Sequence, residues 1–361
     1  MSFVSMIMLV FALLGALDRI LGNRFGLGRE FERGFMLLGN MALSMIGMLV
    51  ISPLLAEWMQ PFCAWVYETL HLDPSLIPAS LFANDMGGTA LATELAQNEA
   101  IGMYNALVVS SMMGCTISFT IPYALGVVEK ERHRELFLGL LCGIVTIPVG
   151  CFCVGLLMRL PFLALLVNLL PLLIFAAVIA AGLLVFPEAT VKVFSIVGIG
   201  IKIIITIGLA LGIVKALTGW EILPALDDIK VGGDICLNAA VVLSGAFPLM
   251  HVVSKLLQKP LAALGKALKI NETAAMGFVS TLVTNATTFE MMNRMDKKGV
   301  MLNASFVVSA AFVFGSHLAF TMAFDTAYIT PVIIAKLVSG LLAIVLATVL
   351  YKRVAVTAEP E

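Results

Sequence analysis

Apolar runs of about 20 residues recur along nearly the whole chain, each long enough to cross a bilayer core of about 30 Å as a helix. Short polar or basic stretches separate them. The pattern predicts full spans over 3–21, 34–56, 101–124, 135–158, 161–186, 194–217, 236–257, 300–324 and 331–351. Two further apolar segments, 75–97 and 271–293, make poor spans. The first is broken by "ANDMGGT" (83–89) and the second by "TNATTFE" (284–290). Paired glycines break a helix, and an Asp without a partner is costly in hydrocarbon, so a purely structural span avoids both.

Composition strengthens this picture. Of the 361 residues, 60% are hydrophobic and only 12% charged, against roughly 25% charged in soluble domains, and mean hydropathy is +1.04. The chain reads as an all-α integral membrane protein with many spans. A net charge of −1 gives no reason to expect nucleic acid as a partner. The six cysteines lie in or beside apolar runs without a CxxC pair, as buried thiols do, so neither disulfides nor a metal site is expected. The first residues, "MSFVSMIMLVFALLGALDRI", lack a basic leader and an A-x-A cleavage site and read as a first span. HExxH, GxSxG and Walker A motifs are absent, which argues against a membrane enzyme and a bound cofactor. The methionines form no Met-x-x-Met array with His, so a copper path is not expected.

Positive charge orders the spans. If both interrupted segments are re-entrant hairpins that leave on the side they entered, one side collects 17 of the 22 Lys and Arg. These lie at 19–33, 130–134, 192, 255–269, 294–298 and 352–353, while Arg159, Lys215 and Lys230 fall on the other side. Such asymmetry marks the basic side as cytoplasmic. Nine spans follow, with the N-terminus outside and the C-terminus inside. Spans 1–2, hairpin, spans 3–4 then match spans 6–7, hairpin, spans 8–9. The chain divides into a first repeat (1–158), a connecting span (159–193), a second, inverted repeat (194–351) and a cytoplasmic tail (352–361). "YNALVVSS" (104–111) echoes "LNASFVVS" (302–309). Inverted repeats with paired broken helices place a transporter's site near the midplane, where the two hairpin tips would meet.

Within the first tip, Gly87 and Gly88 permit the bend. Asn84 and Asp85 can cap helix ends or bind a polar substrate, and for Asp85 the cost of a buried charge favours a ligand role. Asn285 occupies the corresponding break in the second tip. Lys202 is either a coupling cation or a side chain that snorkels to the interface, and Lys336 is expected to snorkel outward. His317 can relay protons or serve as a packing histidine, and Asn303 lies in the same span. Gly198, Gly208 and Gly212 are expected to let helices approach closely.

Four ordered motifs carry a resemblance over nearly the whole chain: "NDMGGTALATELA" (84–96), "SSMMGCTISFTIPYALGVVE" (110–129), "LGLLCGIVTIPVGC" (138–151) and "FVVSAAFVFGSHLAFT" (306–321). Together they resemble the ethanolamine permease family of the ethanolamine-utilisation operon. In the last motif the family often places Asp before the His, where this chain has Ser316. The resemblance implies a bacterial inner-membrane protein that brings ethanolamine into the cell. That substrate is mostly an ammonium cation with a hydroxyl, so its site needs a carboxylate or aromatic faces together with amide or hydroxyl groups. Asp85 would balance the ammonium, Asn84, Thr89 and Asn285 would supply polar contacts, and Glu290 is the second candidate anion. Glu94 is expected at a solvated helix end. The reading is a carrier for ethanolamine or a similar small amine that exposes a site between two tips alternately to each side. A nucleoside or organic-ion transporter of the same build, or a channel-like facilitator, is the alternative. Coupling to H+ or Na+ and a homo-oligomeric state are left open.

Overall fold

The computed structural model describes residues 3–356, so the end of the expected tail, from 357 onward, lies outside the described residues. Among the described residues the chain is helical, with no strand. Its helices are α1 (Phe3–Ile20), α2 (Leu27–Met36), α3 (Leu38–Leu70), α4 (Leu76–Leu81), α5 (Gly88–Leu95), α6 (Glu99–Val127), α7 (His133–Leu157), α8 (Phe162–Val185), α9 (Pro187–Thr218), α10 (Ile229–Leu268), α11 (Glu272–Val283), α12 (Asn285–Met292), α13 (Lys297–Ala310), α14 (Ser316–Phe324) and α15 (Ile329–Val356). Eight segments among the described residues are long and apolar enough to cross a membrane, with α2 and α3 counted together.

The expected eighth span, 300–324, is not one helix. It breaks between α13 and α14, where Phe312 takes φ 61°. The break is held from outside: Phe312 N donates to Thr281 O at 3.1 Å and Phe314 N to Leu282 O at 2.8 Å. These bonds to α11 replace the intrahelical ladder, as buried backbone requires where water is absent.

Both interrupted segments fold back on themselves. In the first, α4 and α5 pack together, and Asp73 Oδ2 accepts hydrogen bonds from Gln97 N (3.1 Å) and Asn98 N (2.9 Å), joining the segment's two ends. In the second, α11 packs on α12, Asn271 N donates to Asp296 Oδ1 (2.8 Å) and Asn271 Nδ2 to Arg294 O (3.0 Å). The same residues cap helices: Asn98 caps α6, Asn271 caps α11 and Asp296 caps α13. One polar pair therefore closes each hairpin and starts the next helix.

The remaining helices form two groups. In one, α10 packs on α1, α2 and α3, and α9 packs on α3. Here a Cβ on Gly208 would lie 2.0 Å from Gly47 O, so only glycine allows this crossing. A Cβ on Gly198 would stand at ordinary distances, 3.6 Å from Pro122 and Ser118. In the other group α7, α13 and α15 pack mutually, with α8 against α7. α6 is the most enclosed span and runs through wide π-helical turns over Asn105–Gly114 and Thr116–Thr120. π-turns recur at functional sites, and these face the first hairpin.

Candidate functional site

The first tip is a short 3-10 turn, Asn84–Met86, followed by Gly87 at φ 96°, a left-handed conformation that glycine takes without strain. There is no room for a side chain either, since a Cβ on Gly87 would lie 1.7 Å from Met48 Cγ. α6 closes over the tip from behind: a Cβ on Gly114 would sit 1.9 Å from Phe82 O, and Ser118 Oγ accepts from Ala83 N at 3.2 Å. These contacts leave the Asp85 side chain 15% exposed, facing a cavity of about 420 Å3.

Both tips line that cavity, Asp85 and Met86 from the first and Val283 and Thr284 from the second. α6 contributes Cys115 and Phe119, and the α13–α14 break contributes Phe312, Ser316 and His317. Phe119 and Phe312 stand 6.1 Å apart, and the Phe312 ring lies 4.9 Å from that of His317. A carboxylate beside two aromatic faces suits a small organic cation. His317 Nε2 lies 3.6 Å from Asp85 Oδ1, and its Nδ1 lies 3.1 Å from Lys336 Nζ. Lys336 is 1% exposed and also donates to Ser111 O at 2.7 Å. The expectation that it snorkels is thus corrected: its position on α15 turns it inward, against α6.

A second cavity, of about 310 Å3, adjoins the first around the second tip. Arg33, Phe247, Val283 and Thr284 line both. Arg33 lies over the Phe247 ring at 5.0 Å and pairs with Glu30 at 3.3 Å. His251 lines the second cavity.

The other candidates are dispersed. Asn84 is fully buried behind Asp85, and neither of its amide atoms has a hydrogen-bond partner. Thr89 donates to Ala106 O at 2.8 Å and so fastens α5 to α6 away from the cavity. Asn285 is buried at the start of α12 and donates to Thr120 Oγ1 at 3.2 Å, with its Oδ1 unpartnered. Asn303 donates to Ala274 O and Gly299 O, both at 2.9 Å, and ties α13 to the second hairpin. Glu290 is exposed, with Tyr123 Oη 3.4 Å away, and does not line the cavity. Lys202 is exposed on α9, as a snorkelling side chain would be, and Glu94 is exposed near the end of α5. Of the six cysteines, Cys153 is exposed and five are buried, all as free thiols. No group of His, Cys, Asp and Glu among the described residues could hold a metal ion.

Sequence comparison places the chain in a known family. The family described as "Ethanolamine utilisation protein, EutH" matches residues 2–350. The chain belongs to the EutH family. A Listeria monocytogenes protein named "Probable ethanolamine permease EutH" is 45% identical over 315 residues, covering 87% of this chain and 84% of that protein. A Salmonella typhimurium protein of the same name is 41% identical over 355 residues, covering 88% and 87%. The Bacillus subtilis relative "Uncharacterized protein YxeR" is 39% identical over 317 residues, covering 88% and 86%. No solved structure matches the chain. Phe119 and Phe312 line the cavity and were not singled out in the sequence; Lys336, behind it, was expected to snorkel, although an ionisable residue inside a span is a functional candidate by default.

Proposed function

We propose that this EutH protein carries ethanolamine across the bacterial inner membrane and is a transporter, not an enzyme. The observation that carries the reading is Asp85, a carboxylate held at a helical break on the wall of a cavity that both tips line. The ammonium pairs with Asp85 and lies against Phe119 and Phe312, and Ser316 is placed to meet the hydroxyl. The names of the relatives support the substrate.

The reading extends to topology. Each interrupted segment is a re-entrant hairpin, and the two enter from opposite faces of an inverted repeat, 1–158 and 194–351, joined by 159–193. Three pairs support this: Asp73 with Asn271, Asn98 with Asp296, and Asn105 with Asn303 are all separated by the same number of residues. The first two pairs close the hairpins, and the third is buried in corresponding helices. The packing of α1 on α10 is mirrored by that of α9 on α3. The basic side is then cytoplasmic, the N-terminus lies outside, and the second cavity is the inner vestibule, closed toward Asp85 by Arg33 on Phe247.

The test is uptake of labelled ethanolamine into proteoliposomes, with countertransport by unlabelled substrate. A carrier shows saturable uptake and countertransport. Linear, unsaturable uptake equal to that of empty liposomes would remove the proposed function. Cysteines placed at 86 and 284 should cross-link in at least one state, because a disulfide needs Cα atoms within roughly 7 Å. Absence of any cross-link under oxidising and bifunctional reagents would refute convergent tips.

A further inference from the structure

Lys336 lies behind the cavity and takes no part in the binding scheme above. Its Nζ is held by Ser111 O at 2.7 Å and His317 Nδ1 at 3.1 Å, and its side chain is 1% exposed. Among the described residues, no carboxylate comes within 4.0 Å of Nζ. A buried ammonium without a paired anion is costly, and a structural role would be served as well by an apolar residue of similar size. The titratable groups that face it are Cys115 from α6, Cys151 from α7, His317 from α14 and Asp85 from the first tip. Asp85 is the one carboxylate among them, and it stands across the His317 ring, 3.6 Å from Nε2. Because Lys336 donates to Nδ1, the ring proton of neutral His317 sits on Nε2, directed toward Asp85 and the cavity.

We propose that Lys336 is the coupling residue of this site, an internal cation that Asp85 balances when the cavity is empty and that gives up a proton when a substrate ammonium binds. The inference rests on the reading of Asp85 as the ammonium's partner. One carboxylate cannot balance two cations in a low-dielectric interior, where like charges repel strongly. Binding of a second cation is therefore relieved by loss of one positive charge. The route runs through His317, which touches Lys336 on one nitrogen and faces Asp85 with the other. The Nζ–H bond breaks and its electron pair stays on Nζ; the proton bonds to His317 Nδ1; the Nε2–H bond breaks and that proton passes to water in the cavity. One ammonium enters and one proton leaves, so the net charge of the site is unchanged. Over a full cycle this is the exchange of a substrate cation for a proton, electrically equivalent to moving the free amine.

The experiment is calorimetric titration of the purified protein with ethanolamine at one pH, in two buffers of different ionisation enthalpy. The difference in apparent heat gives the protons released per ligand. The parent is expected to release about one proton per bound ethanolamine. Lys336→Met is expected to bind ethanolamine and release none, and Lys336→Arg, a permanent cation, to bind roughly tenfold or more weakly with no release. Binding by the parent without proton release overturns the proposal and leaves the substrate reading intact. Undiminished release by Lys336→Met also overturns it, since the proton would then come from ethanolamine itself. No binding by the parent refutes the substrate reading and this inference together. Absence of proton release by the parent overturns the proposal whether or not the variants fold.

Discussion

At the first tip the chain needs six residues, Phe82 to Gly87, to turn from α4 into α5; at the second a single residue, Thr284, separates α11 from α12. The second tip leaves over only the Oδ1 of buried Asn285 and otherwise satisfies itself. Thr284 is extended (φ −156°, ψ 138°) and its hydroxyl accepts from Ala286 N at 3.3 Å, while Thr281 and Thr288 pair at 3.0 Å. The first tip leaves groups over: Asp85 faces the cavity, and both amide atoms of Asn84 are unpartnered. The longer turn also forces a left-handed Gly87. Two hairpins closed by the same kind of polar pair thus end differently, one in a turn that carries a carboxylate and an unpartnered amide, the other in a neutral turn that caps itself and leaves one amide oxygen over. Unsatisfied polar groups are expensive at membrane depth and mark function. On the proposed reading the first tip holds substrate, and the second closes over it.

Three substitutions press on that difference. Gly87→Val has the largest expected effect, because it adds left-handed strain and a clash with Met48. It should cost about 2–5 kcal/mol of stability, read as a large fall in the detergent melting temperature; an unchanged melting point would mean the first tip is not built as described. Thr284→Val removes the cap of α12 and should cost about 1 kcal/mol, with ethanolamine affinity changed by no more than about twofold. If its affinity instead collapsed, the second tip would be a binding element and the contrast would fail. Glu290→Gln should be the mildest, within about 0.5 kcal/mol in stability and in binding, because Glu290 is exposed away from the cavity. A clear loss of binding would return Glu290 to the site.

The breaks at Asn84–Gly87 and near Asn285 were legible in sequence because glycine, proline-free polar clusters and β-branched residues interrupt an apolar run visibly. The break between α13 and α14 was not. "SAAFVFGS" (309–316) is apolar up to Gly315, and the bonds that hold it open come from Thr281 and Leu282, remote in sequence. The chemistry of Asp85 could be weighed from its type and depth alone. For Lys336 the residue type was a signal but its direction was not legible, because its distance from a span end is the same whether α15 turns it toward lipid or toward α6. Only the packed structure sets that rotation. Glu290 was drawn in by its closeness in sequence to Asn285, yet α12 turns the two to different surroundings. Phe119 and Phe312 had no distinguishing mark among 22 phenylalanines.

The central claim is that the charge on Asp85, at the first tip, reads the ammonium. The most direct measurement compares binding of ethanolamine with that of ethylene glycol, a neutral analogue of nearly equal size, to the parent and to Asp85→Asn at fixed salt and pH. Losing a buried partner for a cation costs about 2–5 kcal/mol, so Asp85→Asn should bind ethanolamine roughly 30-fold more weakly or worse. Ethylene glycol binding should barely change, and the parent's preference for the amine should vanish in the variant, while the melting temperature stays close to the parent's. If Asp85→Asn keeps the parent's preference for ethanolamine, the ammonium is read elsewhere and the account of the first tip is wrong.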